Sequence, residues 1–273
     1  SFMGTVFERP SPNTSAMSNA RMPAVFIGHG SPMNALERNR YSDAWNALGA
    51  ALPVPRAILV VSAHWYVRGV AVTAAERPRT IHDFYGFPRD LYRIRYDAPG
   101  DPQLAARLAD MLGTLDVTLE DSWGLDHGAW SVLVHMYPDA EIPVLQLALD
   151  ATRTADFHWA IGAALAPLRD DGILVLGSGN VVHNLKLMDP YRSGPFDWAE
   201  RFDEHMRVAI DRNDREALVH PEAHPDGALA VPSPDHYLPL LYACALRTND
   251  DPVTTVVDGM EAGSLSMRSI RVG

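Results

Sequence analysis

The sequence predicts one α/β domain with a central mixed, largely parallel sheet flanked by helices. Three observations carry that prediction. Apolar runs of strand length occur at Ala24–Gly28, Ile58–Val61 and Ile173–Gly177, and they are near-continuous rather than alternating, as strands buried on both faces are. Segments of helical periodicity separate such runs, for example Pro102–Leu112, with Leu104, Leu108 and Leu112 on one face. The 273 residues contain no linker in the middle and no internal duplication, so everything from Met22 onward is assigned to one core.

In chain order, residues 1–21 are rich in Ser, Pro, Asn and Ala and read as a flexible lead-in, with residues 22–273 as the catalytic domain. Ala24–Gly28 is the first strand. Gly28-His29-Gly30-Ser31-Pro32 follows as a tight loop whose glycines let backbone approach a ligand. Met33–Ala50 reads as a helix, and Pro53–Arg56 as a turn into the second strand, whose run ends on Ser62-Ala63-His64-Trp65. Val70–Ala75 alternates as a strand. Between Glu76 and Pro99 the pattern breaks down into mixed aromatic and basic residues, among them His82, Phe84 and Phe87. A loop of that length in a compact domain reads either as a lid or pocket wall or as a plain surface excursion. Further helices are expected at Pro102–Leu112, Ser131–Met136, Ala155–Leu168, Phe196–Asn213 and Tyr237–Leu246, and further strands at Val117–Leu119, Ile142–Leu149 and Ile173–Gly177. Ser122–Trp130 reads as a loop, and Val253–Val257 and Leu265–Val272 as closing strands, antiparallel at an edge.

The formal net charge is -11, with no basic cluster to override it, which argues against a nucleic-acid or anionic-membrane partner. No run reaches the length of a membrane-spanning helix, and the N-terminus lacks an apolar signal core. The single cysteine, Cys244, excludes an intrachain disulfide and fits a cytoplasmic location; its apolar, helix-like surroundings make it a buried, inert thiol.

Of 11 histidines, His158, His205 and His220 read as surface residues, His224 as loop, and His135 as a hydrogen-bonded core residue. His29, His64, His127, His183 and His236 differ, because each sits beside Gly, Ser, Asn, Asp or Pro at a strand end or helix start. Ligands of open α/β sheets bind beyond the carboxyl ends of the strands. Taken singly, each of the five is better read as structural. Taken together, with three at strand ends, they point to a shared metal site, since neutral imidazole is the commonest protein metal ligand. The spacing contains neither H-E-x-x-H nor C-x-x-C. Gly177-Ser178-Gly179 is neither a phosphate loop nor a G-x-S-x-G elbow.

Five segments occur in one order: Gly28-His29-Gly30-Ser31-Pro32, Ser62-Ala63-His64-Trp65, Leu125-Asp126-His127-Gly128, Gly177-Ser178-Gly179-Asn180 with His183-Asn184, and Asp235-His236-Tyr237 with Pro239-Leu240. From Met22 onward the chain resembles the class III extradiol ring-cleavage dioxygenases, most closely their 4,5-DOPA extradiol dioxygenase-like branch. The resemblance implies an α/β fold holding one divalent metal in a pocket, with His29, His64 and His236 as ligands. His183 matches a position that is either a further ligand or the acid/base histidine, and His127 matches a second histidine lining the substrate site. Better-studied class III enzymes use two histidines and a glutamate on Fe(II); with His236 in the third place, Fe(II) is the metal for turnover and Zn2+ also suits the site.

The implied reaction opens a DOPA-like catechol with O2 to a muconic semialdehyde, so the partners are a small aromatic diol and O2. His183 or His127 would move the proton, Trp123 and Trp130 would wall the ring beside His127, and Arg89, Arg93 or Arg95 would hold a substrate carboxylate. A zinc-dependent hydrolase on a related scaffold is the alternative, and a non-enzymatic metal-binding protein the third reading. The oligomeric state is left as monomer or small homo-oligomer.

Overall fold

The apolar runs become one six-stranded sheet in a computed structural model that describes residues 21–273. The lead-in lies outside the described residues except for Arg21, whose guanidinium pairs with Asp170 at 3.0 Å. In chain order the strands are β1 (Ala24–Gly28), β2 (Ala57–Ser62), β3 (Val144–Gln146), β4 (Ile173–Gly179), β5 (Val253–Val257) and β6 (Ser269–Val272). Side by side they run β3-β2-β4-β1-β6-β5. The first four are mutually parallel, and β6 is antiparallel to both β1 and β5, so the expected antiparallel edge is present.

Every residue of β1 to β4 is buried, because helices cover both faces. The longer helices are α1 (Arg40–Ala51), α2 (Pro102–Met111), α3 (His127–Met136), α4 (Ala155–Ala164), α5 (Asp197–Arg212) and α6 (Leu238–Ala245). Strand alternation divides the core. Phe26, Leu59, Val61 and Val175 pack with Ile161 of α4, Phe202 of α5 and Leu241 of α6. Val25, Ile27, Val60 and Leu176 pack on the other face with Trp45 of α1 and Trp130 of α3. Each such side chain contributes about 1.5–3 kcal/mol of transfer free energy.

Several element boundaries differ from the sequence expectation for identifiable reasons. The helix expected over Met33–Ala50 is a 3-10 turn at Pro32–Ala35 and a separate α1. Asn39 breaks it by capping α1: its Oδ1 accepts from the N–H groups of Tyr41 and Ser42 at 3.0 Å each. The helix expected over Ala155–Leu168 divides at Leu165, since Pro167 has no N–H to continue the ladder. The strand expected over Ile142–Leu149 leaves the sheet after Gln146, and Leu149–Asp150 pairs instead with Tyr66–Val67. The strand expected over Leu265–Val272 is also two pieces: Leu265–Ser266 pairs with Met260–Glu261, and β6 begins at Ser269. α3 starts at His127, four residues earlier than expected, so His127 is a helix-start residue rather than part of a loop.

A buried arginine ties the end remote from the site. Arg169, 1% exposed, donates to Met22 O at 2.6 Å, to Leu246 O at 2.8 Å and to Asp251 Oδ2 at 2.7 Å. At the opposite end the carboxyl termini of β1, β2 and β4 finish together, and His29, His64 and His183 follow them.

Candidate metal centre

Each histidine is delivered by a different local device. His29 follows β1 directly, and its N–H donates to Gly179 O at 3.0 Å, which extends the β1–β4 pairing by one residue. His64 lies in the turn two residues beyond β2, where its N–H donates to Ser62 Oγ at 3.2 Å. His127 opens α3. His236 stands just before α6, held because its carbonyl accepts the Asn180 N–H at 2.8 Å. Gly179 allows that approach: a Cβ there would meet His236 O at 2.1 Å. His183 is set by its own N–H donating to Ala230 O at 2.9 Å.

The structure brings all five together. The ring of His29 lies 5.0 Å from that of His64, 5.6 Å from that of His127 and 5.5 Å from that of His236. His64 and His127 are 3.8 Å apart, and His183 stacks flat on His236 at 3.5 Å. One nitrogen from each of His29, His64 and His236 falls within 4.8 Å of the others. His183 is not in that trio.

The hydrogen bonds fix the free nitrogen of His29 and of His236. Ser178 Oγ has one proton and donates it to Gly128 O at 2.6 Å, so the 2.9 Å contact between Ser178 Oγ and His29 Nδ1 requires the proton of Nδ1. His236 Nδ1 donates to Asp235 Oδ2 at 2.5 Å. His64 Nδ1 faces Asp83 Oδ2 at 3.6 Å. His29 and His236 thus hold the Nδ1 proton against an oxygen and leave Nε2 unprotonated, the usual disposition of a metal-binding histidine, while His64 Nδ1 lies beyond hydrogen-bond distance of Asp83. His29 Nε2 and His64 Nε2 stand 3.1 Å apart. A proton on His64 Nε2 bridges the pair as a hydrogen bond, and a cation bound by both lone pairs would take that proton's place. The donor set therefore fits a divalent ion.

Burial, and then the neighbouring histidines, lower the pKa of His29 and of His64 well below the ordinary imidazole value. His183 is lowered to about 3, first by burial and then by His236. All three are neutral near pH 7, as ligands or proton acceptors must be. Burial alone would raise Asp235, but the combined pull of His236, the Ser233 hydroxyl and a backbone N–H outweighs it and holds the carboxyl at about 2.

Asp83 is the functional residue that the sequence did not single out. It lies in the Glu76–Pro99 loop beside His82 and between two site histidines. Its Oδ1 accepts the His127 N–H at 2.9 Å and lies 3.0 Å from His127 Nδ1, which is out of line for a hydrogen bond and leaves that buried nitrogen without a partner. Its Oδ2 faces His64. The same loop also carries Glu76, Asp90 and Asp97, so no sequence signal set Asp83 apart. Asp126, the residue before α3, is also buried. It accepts from Ser62 Oγ at 2.7 Å and Gln146 Nε2 at 2.8 Å, which pins the start of α3 to the ends of β2 and β3. Burial and then the charge of Asp83 raise it to about 6.

The five histidines open into a cavity of about 400 Å³ whose other walls include Pro32, Phe84, Phe87, Leu185, Met188 and Leu265. The long loop is thus a pocket wall. The expected tryptophan wall is absent: Trp123 stacks on Trp65 at 5.7 Å, and Trp130 is fully buried, its Nε1 donating to Ile81 O at 2.8 Å. Phe84 and Phe87 take that place. None of Arg89, Arg93 and Arg95 lines the cavity; all three are exposed, and Arg93 and Arg95 pair with Asp90 and Asp97. His158, expected at the surface, is fully buried between Tyr242 Oη at 2.9 Å and Asp150 O at 3.1 Å. Cys244 is buried as expected, and burial raises its thiol to about 12.

Comparison with known proteins gives a family match and several relatives. Residues 24–257 match the model of the catalytic LigB subunit of aromatic ring-opening dioxygenase. A 4,5-DOPA dioxygenase extradiol of Escherichia coli (strain K12) is 50% identical over 262 residues, covering 94% of this chain and 97% of that protein. A protein of the same name from Beta vulgaris is 36% identical over 254 residues, covering 90% and 94%. The crystal structure of an uncharacterized protein from Escherichia coli K12 superposes with a TM-score of 0.83 at 45% identity, covering 93% of this chain and 100% of that one.

Proposed function

The chain belongs to the family of the catalytic LigB subunit of aromatic ring-opening dioxygenases, and from that premise we propose how its residues divide the work. It is an extradiol ring-cleaving dioxygenase, and the family match does not favour the hydrolase alternative. The substrate is a catechol, with a DOPA-like ring suggested by the names of the relatives. Both atoms of O2 enter next to the diol, opening the ring to a muconic semialdehyde.

His29, His64 and His236 are the metal ligands. A divalent metal held there, Fe(II) for turnover, would supply Lewis acidity and a conduit for electrons from the diol to O2. The same three neutral imidazoles suit Zn2+, which has no redox turnover. Phe84, Phe87 and Leu265 hold the flat ring and exclude water from it. His183, neutral and stacked on a ligand rather than placed among them, takes the diol proton and returns it after oxygen insertion. His127 is the second proton-handling group, with its buried Nδ1 lacking a hydrogen-bond partner. Asp83 is a positioning residue that holds the His127 backbone N–H and presents its carboxylate to the Nδ1 edges of His64 and His127.

The observation that carries this reading is the 3.1 Å approach of two Nε2 atoms whose Nδ1 atoms face oxygens, with His236 completing the trio. Metal analysis of chelator-free protein should give about one divalent ion per chain, and the Fe(II)-loaded protein should consume O2 with a catechol and form a yellow product. A chain that binds no metal would overturn the ligand assignment.

A further inference from the structure

Among the described residues, no charged side chain lines the cavity that receives the substrate. Its lining consists of the five histidines, one glycine, one serine and the six apolar residues Pro32, Phe84, Phe87, Leu185, Met188 and Leu265. The nearby carboxylates are engaged elsewhere: Asp83 and Asp235 face histidine Nδ1 atoms, and Glu261, packed behind Gly30, accepts from Asn34 Nδ2 at 3.5 Å. Lys186, the one lysine of the sequence, lies exposed on the turn between Leu185 and Leu187 and is not part of the lining. A substituent para or meta to the diol therefore meets hydrocarbon. A carboxylate or ammonium placed there would lose its hydration with no partner to replace it. An alkyl chain placed there would gain roughly fourfold in binding per buried methylene.

We propose that this cavity selects catechols with an uncharged, apolar ring substituent over catechols with a zwitterionic amino-acid side chain. The inference rests on the ring-cleavage reading for its chemistry but on the walls alone for its selectivity. A zwitterionic substituent is accommodated only by extending through the mouth into water, so such a substrate is turned over without using the wall. Leu185, 58% exposed at the rim, is the residue that most directly sets this polarity.

The test compares 4-propylcatechol, 3-(3,4-dihydroxyphenyl)propanoate and DOPA on the full chain. Calorimetric titration of Zn2+-loaded protein reads binding without turnover, and O2 uptake by Fe(II)-loaded protein reads kcat/KM. Propylcatechol should bind at least roughly tenfold more tightly than DOPA and show the larger kcat/KM by a similar factor. The variant Leu185→Arg should strengthen binding of the propanoate, weaken that of propylcatechol and so narrow the gap. DOPA binding as tightly as propylcatechol, or Leu185→Arg leaving the ratio unchanged, would overturn the proposal. The expected binding order without O2 uptake would support the selectivity and count against ring cleavage, so the two failures are distinguishable.

Discussion

At the scale of single residues, the site depends on where each imidazole proton sits. Asp83 shows this most clearly, because one carboxylate faces both His64 and His127. Asp83→Asn keeps the size and an acceptor oxygen but removes the charge. It should weaken Zn2+ affinity about 10–100-fold in a chelator competition while leaving the far-UV circular dichroism unchanged; unchanged affinity would remove the positioning role. Ligands and proton-handling groups separate by the same kind of measurement. His183→Ala and His127→Ala should retain the metal and lower kcat by about 10²–10⁴-fold in O2 uptake, whereas His29→Ala or His236→Ala should lose the metal. Full turnover in the His183 and His127 variants would remove both assignments. These residues were not equally legible. His29 and His64 follow apolar runs of strand length, so their placement at the sheet edge was readable. Asp83 was not, since its position depends on the path of a long loop with no periodicity. His158 was misread for a related reason: its burial is decided by Tyr242, 84 positions away in sequence.

Whole elements hold the centre by close backbone approach. β4 runs under the segment before α6, and Gly179 lets His236 sit there. Gly179→Ala should displace His236, costing about 1–3 kcal/mol in thermal unfolding together with loss of bound metal; a stable variant with full metal content would contradict that packing. At the far end Arg169 joins β1, the end of α6 and the start of β5 through carbonyls and Asp251. Burial alone would raise Asp251, but hydrogen bonds from Arg169 and Thr248 hold it at about 2. A carboxyl lowered on folding contributes stability that is present above its unfolded pKa near 4 and is lost as pH falls toward 2. Asp251→Asn should therefore destabilise by about 3 kcal/mol at pH 7, with the difference from the parent shrinking between pH 4 and 2 in denaturant titrations. The strands and the amphipathic helices were legible because burial on both faces, or along one stripe, leaves a period in the sequence. The early start of α3 was hidden because Asp126 directs its side chain to Ser62 and Gln146 and makes no cap hydrogen bond.

For the molecule as a whole, the parallel strands β1, β2 and β4 bring His29, His64 and His183 to one edge, and α3 and α6 close it with His127 and His236. Strand order could not be read from the chain: β4 lies between β1 and β2, although β2 precedes it in sequence. That order is what brings His29 and His64 within reach of the segment that follows β4. The five histidines then span most of the sequence yet share one cavity, and the same cavity has hydrocarbon walls that suit a flat ring. The central claim is that this cavity uses a three-histidine metal to open a catechol with O2. The most direct measurement is O2 uptake by the Fe(II)-loaded chain with a catechol, run beside His236→Ala. Consumption of one O2 per ring opened, with a yellow product, and loss of both in the variant, is the predicted result. A parent chain that binds its metal at one per chain yet consumes no O2 with any catechol would contradict the account.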